Sequence, residues 1–303
     1  MAGTGSTFQL HLRGVYDVKI ARTAEMPNLW KDIVGETIST NALGEKRVLM
    51  TGLAAMQRTA EDGTFPIDTI IAPYNKTFVT EVFGVAVEFT DKQLGTDQHG
   101  ILRRFGQEFA VSEAYAVEDL VADLLNNGVD TAYPTILGGS NPIASATQPT
   151  TTGATWSNVS TAAALSIDSL EQMATDRKAH RDLKNQRWLK YGQWKLVTPI
   201  ELEITAHRLL ESIGQPGTAD NDKNVVRSTI TRTRGNPFIT DTNCFWAIPT
   251  DENPLFLVNN TWLPEDTIKE HERPGTLIKV MLSAMDKTTG CMYPAGVQRN
   301  AGA

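Results

Sequence analysis

Two cysteines, Cys244 and Cys291, in a chain of 303 residues are too few and too far apart for a disulfide framework or a zinc site, so both read as reduced structural thiols. No apolar run approaches the roughly 20 residues needed to span a bilayer. The opening MAGTGSTFQLHLRG has neither the apolar stretch nor the small-residue cleavage site of a signal peptide. The expectation from these absences is a protein made and kept in a cytoplasm, where the sequons at Asn75, Asn158 and Asn259 mean nothing. An excess of positive charge is missing too. The 28 Lys and Arg stand against 35 Asp and Glu, a net charge of −7, which speaks against a tight, sequence-reading nucleic-acid binder. Neither G-x-G-x-x-G nor G-x-x-x-x-G-K-[ST] occurs, nor H-E-x-x-H or G-x-S-x-G. The five histidines, His11, His99, His180, His207 and His271, are scattered. Glu203 and His207, four apart, read as a surface pair, because no third ligand stands at a recognisable spacing. No catalytic residue, metal site or cofactor is expected.

What is present is an ordinary soluble balance, 41% apolar and 21% charged, with room for one large domain or two. The best-formed local signal is Trp194 to Gly214, WKLVTPIELEITAHRLLESIG. Four strand-type residues, Trp194 to Val197, lead into Thr198-Pro199-Ile200-Glu201, where threonine and glutamate match a capping box and proline sits at the first helical position. Leu202, Ala206, Leu209, Leu210 and Ile213 recur at helical spacing, and Gly214 is a natural helix end.

From the start of the chain, residues 1–36 mix Gly, Thr, isolated apolar residues and Pro27, and predict an extended arm with a short strand at Val15 to Ile20. Tyr16 and Trp30 are its aromatic anchors. Arg47 to Thr59 and Ile67 to Val82 read as two long strands joined at Ala60 to Thr64, with Asp62-Gly63 as the turn. Val85 to Phe89 is a further strand. The longest periodic segment is Asp97 to Leu125, where Ile101, Phe105, Phe109, Ser112, Ala116, Leu120 and Leu124 trace one stripe. Its 29 residues predict a helix of roughly 43 Å. The polar loop Gly138 to Gly153 marks a boundary. Ser166 then caps a helix expected to run to about Lys184, and Gly214 to Asn224 is a second polar loop. Val225 to Thr233, Cys244 to Ile248 and Leu255 to Val258 read as strands of a compact middle domain. Thr267 to Glu272 and Thr276 to Ala284 form a hairpin around Arg273-Pro274-Gly275.

Strand, Thr-Pro, acidic residue and then Ala-x-x-Leu-Leu-x-Ser, at Trp194 to Ser212, resembles a segment of tailed-phage major capsid proteins of the Hong Kong 97 type, near the head-subunit group of Mu-like phages. The resemblance covers about residues 35–290 and is strongest over 160–262. It implies an α+β fold: an N-terminal arm at 1–36, an extended E-loop hairpin at 37–84, a peripheral domain at 85–134 and 262–290 with a spine helix over about 97–125, and an axial domain at 135–261. The tail, 291–303, is left without a place. It implies a structural protein that assembles into hexamers and pentamers of an icosahedral head around double-stranded DNA. Implied partners are further copies of itself, a separate scaffolding protein, a portal protein and decoration proteins, with residence in the virion after assembly in a bacterial cytoplasm.

Residues expected at contacts between copies are Tyr16 and Trp30 of the arm, Glu61, Asp62, Gly63 and Thr64 of the hairpin tip, and the basic run Arg177, Lys178, Arg181, Lys184 and Arg187. The bland alternative for that run is a solvated helix face. Some family members weld neighbours through a hairpin lysine; with lysines only at its base, Lys46 and Lys76, no such cross-link is expected. Trp188, Tyr191 and Trp194 read as core and interface aromatics. Two rival readings are an encapsulin-like compartment shell, which shares the fold, and a cytoplasmic hydrolase using acidic residues, which predicts a deep pocket.

Overall fold

The computed structural model describes residues 4–59, 63, 65–90, 101–133, 135–137, 141–189, 192–212, 214, 224–262, 268–272 and 278–303. Thr4–Glu25 is not the expected extended arm but a 22-residue helix, α1. Proline does not appear before Pro27, so nothing breaks the run. Among its described side chains, one apolar and one charged residue are buried. Val15 is its apolar anchor, and Lys19, fully buried, places Nζ 2.7 Å from Glu113 Oε2 and 3.1 Å from Ser283 Oγ. The short helix α2 (Trp30–Ile33) follows, and its entry is fixed by the Leu29 N–H, which donates to Glu118 Oε1 at 2.7 Å.

The periodic stripe folds as predicted, into α3 (Ile101–Asn126); Asp97 to Gly100 lie outside the described residues. Gly106 of α3 lets α1 approach: a Cβ there would stand 2.4 Å from the Val15 carbonyl oxygen. Val117, Val121, Leu124 and Leu125 of α3 enter the main core. Burying each such side chain contributes roughly 1.5–3 kcal/mol.

Two sheets share this core. The larger joins β1 (Glu36–Thr40), β4 (Glu81–Thr90), β10 (Leu255–Asn260), β11 (Ile268–Glu272) and the 14-residue β12 (Ile278–Cys291). β12 pairs antiparallel with β4 along Ile278 to Lys287, and with β10 from Lys287 to Cys291. β10, expected inside the middle domain, is thereby a strand of the larger sheet, and β1 lies parallel to it from Glu36↔Phe256 to Thr40↔Asn260. The turn expected at Arg273 to Gly275 lies outside the described residues.

The smaller sheet has the order β13-β9-β7-β8, formed by β7 (Trp194–Val197), β8 (Ile230–Arg232), β9 (Phe245–Pro249) and β13 (Gln298–Asn300). The uninformative tail is thus a core strand, paired with β9 from Gln298↔Ala247 to Asn300↔Phe245. A minor pair, β5 (Gln148–Pro149) with β6 (Thr155–Trp156), folds part of the predicted polar loop. Helix α4 (Ile167–Arg177) starts at a capping box in which Ser166 and Ser169 bond each other's backbone N–H. It stops at Arg177, short of the expected Lys184, because the chain turns back on itself through the Arg181↔Arg187 bridge.

The segment that carries the family resemblance folds differently in detail. Pro199 has ψ 167°, a 3-10 turn spans Ile200–Leu202, and only then does α5 (Glu203–Glu211) begin. Thr198 therefore caps nothing, and its hydroxyl is buried without a hydrogen bond. Nor does Gly214 end the helix. Ser212 turns extended, and Asn224 Nδ2 donates to the Leu209 and Ser212 carbonyls at 2.6 and 3.3 Å.

Candidate assembly surface

A ribbon of β2 (Gly44–Leu49) and β3 (Tyr74–Val79), paired from Gly44↔Val79 to Leu49↔Tyr74, rests on the larger sheet through Phe78, whose ring meets that of Phe256 at 4.9 Å. The expected long ladder is cut short. The ladder gives way at Thr51, whose N–H donates to the Ile71 carbonyl at 2.8 Å and whose Oγ1 accepts the Ile71 N–H at 3.1 Å. Gly52 and Pro66 disfavour pairing beyond that point, and a two-stranded ribbon is marginal alone. Gly63 is exposed, while Glu61, Asp62 and Thr64 of the expected turn lie outside the described residues.

The loop 50–73 carries Met50, Leu53, Met56, Phe65, Ile67, Ile70 and Ile71, all exposed, with Phe65 at 79% and Ile67 at 93% of full accessibility. Isolated apolar residues on a surface are ordinary; a whole segment of them marks a surface meant for burial.

The expected basic patch does not hold together. Arg177 is buried, 6% exposed, its guanidinium 5.3 Å from the Trp194 ring centre, with Nε donating to the Gly296 carbonyl at 3.0 Å. Burial lowers its pKa to about 10, so it stays charged at neutral pH. Beside it His180 is fully buried. The Gly296 N–H donates to its Nδ1 at 3.0 Å, which leaves Nε2–H to donate to Gln298 Oε1 at 2.5 Å. Gln298 Nε2 donates onward to Ser160 Oγ at 2.8 Å, and that hydroxyl to Asp176 Oδ2 at 2.7 Å. Burial drives the imidazole pKa down to about 3. These groups pin β13 to α4.

Lys178 and Arg187 are exposed and Arg181 is half-buried. Lys184 instead reaches its own chain's loop: Nζ pairs with Asp68 and donates to the Thr69 carbonyl at 3.0 Å. The ammonium, and then the Ala54 N–H, hold the Asp68 carboxyl down to about 2. Of the arm anchors, Tyr16 is half-buried, and Trp30 packs on the main core with Lys31 over its ring. Trp194 is a core side chain and Trp188 packs against the Phe256 and Tyr293 cluster; Tyr191 lies outside the described residues. Glu203 and His207 do not pair. Glu203 meets Arg232 at 3.6 Å and His207 meets Glu211 at 3.1 Å.

A hollow of about 370 Å³ opens between α3 and the β4 and β12 strands, walled by Phe83, Phe109, Ser112, Ala116 and Met285. Its one carboxylate, Glu113, is held by Lys19. A second hollow of about 370 Å³ does gather carboxylates, those of Glu81, Asp119 and Asp123, so pocket geometry does not decide between a shell protein and a hydrolase.

A sequence profile of the phage capsid protein family matches residues 74–280, over half of the chain. The chain belongs to that family. No curated protein sequence matches this capsid protein. Among solved structures it resembles that of Mycobacterium phage Adephagia at TM-score 0.55 and 6% identity, over 92% of this chain and 91% of that one. The mature capsid of bacteriophage PhiM1 matches at 0.55 and 11%, over 92% and 88%. The capsid of Myoviridae phage XM1 matches at 0.51 and 12%, over 89% and 90%. At such identities the likeness is one of fold, and that fold is the Hong Kong 97 type. The protein is a structural, non-enzymatic phage capsid protein, and the hydrolase and encapsulin readings are not favoured.

Proposed function

We propose that this capsid protein forms hexamers and pentamers of an icosahedral head, and that the loop 50–73 is the main element by which one copy holds the next. The observation that carries the reading is the run of exposed apolar side chains from Met50 to Ile71. Each side chain buried on a neighbour contributes roughly 1.5–3 kcal/mol, so a shell repeats that gain at every contact, and loop ordering is coupled to assembly. In this reading the ribbon and loop are the E-loop, and α3 with the larger sheet forms the peripheral domain. The smaller sheet, with α4, α5 and β13, is the axial domain. Lys178 and Arg187 remain candidate contacts between copies. A scaffolding protein, a portal and decoration proteins are the proposed partners, and the shell assembles in the host cytoplasm. The acidic balance of the chain suits a container whose double-stranded DNA must slide during packaging, because many phosphate contacts would grip it.

The test is negative-stain microscopy of the expressed protein, alone and with its scaffold, beside a Met56→Ser, Phe65→Ser, Ile67→Ser triple variant. Closed shells from the parent and soluble, unassembled subunits from the variant are expected. Shells of normal yield from the variant would overturn the role of the loop.

A further inference from the structure

The loop does not leave the body freely; it leaves through a clip. The tight turn Asp182 to Gln186 is stiffened from within. Gln186 N–H donates to Asp182 Oδ1 at 2.7 Å, Asn185 N–H to the Asp182 carbonyl at 3.0 Å, and Asn185 adopts φ 63°. It is stiffened from below by Thr151, whose N–H and hydroxyl both donate to the Leu183 carbonyl, at 2.8 and 2.7 Å. From this turn two side chains reach the two sides of the loop. Lys184 holds Asp68 and the Thr69 carbonyl, and Gln186 Nε2 donates to the Leu53 carbonyl at 3.4 Å. Asp68 in turn ties the sides together, since its Oδ2 accepts the Ala54 N–H at 2.6 Å. The Lys184 side chain is 14% exposed and that of Asp68 34%. The pair lies at the surface, where an ion pair is worth little in energy, so what it supplies is direction.

We propose that Lys184 is a positioning residue for assembly: by holding Asp68 and the Thr69 carbonyl from a rigid turn, it sets the direction in which the loop 50–73 leaves its own subunit and meets the next. This rests on the reading of that loop as the contact with a neighbouring copy. An unclipped loop would keep its apolar residues but would have to be ordered afresh at every contact, at a cost in conformational entropy. The turn belongs to the segment between β6 and β7, so the clip also couples the loop's direction to the orientation of the smaller sheet.

The experiment compares Lys184→Arg, Lys184→Glu, and Lys184→Glu combined with Asp68→Asn, as full-length subunits assembled with scaffold. The readouts are shell yield by sedimentation and protease cleavage of the loop in unassembled subunits. Lys184→Arg should assemble as the parent does. Lys184→Glu sets two carboxylates against each other, and is expected to cut shell yield by at least about tenfold. It should also speed cleavage between Met50 and Pro73, with the thermal midpoint of the subunit unchanged. In the double variant the amide introduced at position 68 can donate to the carboxylate introduced at position 184, and yield should recover. Normal yield and unchanged cleavage for Lys184→Glu would overturn the proposal. So would failure of the double variant to improve on it. If the Met56, Phe65 and Ile67 triple variant also assembles normally, the loop reading fails; if only the clip variants do, the positioning role alone fails.

Discussion

The loop 50–73 and the smaller sheet are both rich in large apolar side chains, yet one exposes nearly all of them and the other exposes almost none. In the sheet, Trp194, Leu196, Phe245, Trp246 and Ile248 are each at most 1% exposed, sealed by α4, α5, α3 and the C-terminal strand β13. In the loop, Leu53, Met56, Phe65 and Ile67 have no such cover. Composition does not separate the two regions; the availability of partners within one chain does. The sheet is stable by its own burial, whereas in the proposed reading the loop has its burial deferred to another subunit.

The sharpest way to break that contrast is to injure each side and compare the stability of the unassembled subunit. Trp246 fills the space left by Gly128, where a Cβ would stand 2.5 Å from the indole. Trp246→Ala should therefore cost about 3–5 kcal/mol, seen as a large fall in the urea midpoint. Acid is a gentler probe of the same region. His180 has a folded pKa of about 3 against 6.5 for the free side chain, so between these values the unfolded chain binds the extra proton. Stability is full above about pH 6.5 and falls as pH drops toward 3, by at most about 1.4 kcal/mol per pH unit. Urea midpoints measured across that window should show the slope, and a His180→Gln variant should lose its part of it. Ser166→Ala, which removes the cap of α4, should cost about 1 kcal/mol, readable as a thermal shift. At the bottom of the scale, Ile67→Ser should change subunit stability by no more than about 0.5 kcal/mol in calorimetry. A loss as large as that of Trp246→Ala would show the loop folded into its own subunit and would erase the comparison.

Much of this fold is legible in the sequence wherever the signal is local. The stripe from Phe105 to Leu124 marks α3, Ser166 marks a helix start, and the apolar runs at Cys244 to Ile248 and Leu255 to Val258 mark two buried strands. Helix α1 escapes such a reading because, beside Val15, a buried charged residue, Lys19, takes part in its docking. A lysine that finds a glutamate and a serine 94 and 264 positions away in the chain leaves no periodic trace. Arg177 is misplaced for a different reason. It continues the line Leu170, Met173, Arg177 along the buried side of α4, a spacing that could have been read, but its charge suggested solvent. The loop's exposed residues resemble ordinary strand residues, since β-type composition does not say whether a facing strand exists. The clip at Lys184 leaves no local signal either, because residues 68 and 184 stand 116 positions apart in the chain.

By itself the sequence settled what depends on neighbours a few positions away: the period of α3, the cap of α4, the extended character of β7, β9 and β10, and the motif that resembles capsid subunits. Only the tertiary structure decided which apolar residues are covered, which charges are buried in pairs, and that the last residues complete a sheet begun far earlier in the chain. The physical reason is that periodicity and capping are set by backbone geometry over one or two turns. Burial, by contrast, is a property of whatever surface the rest of the chain, or a neighbouring copy, brings to the site.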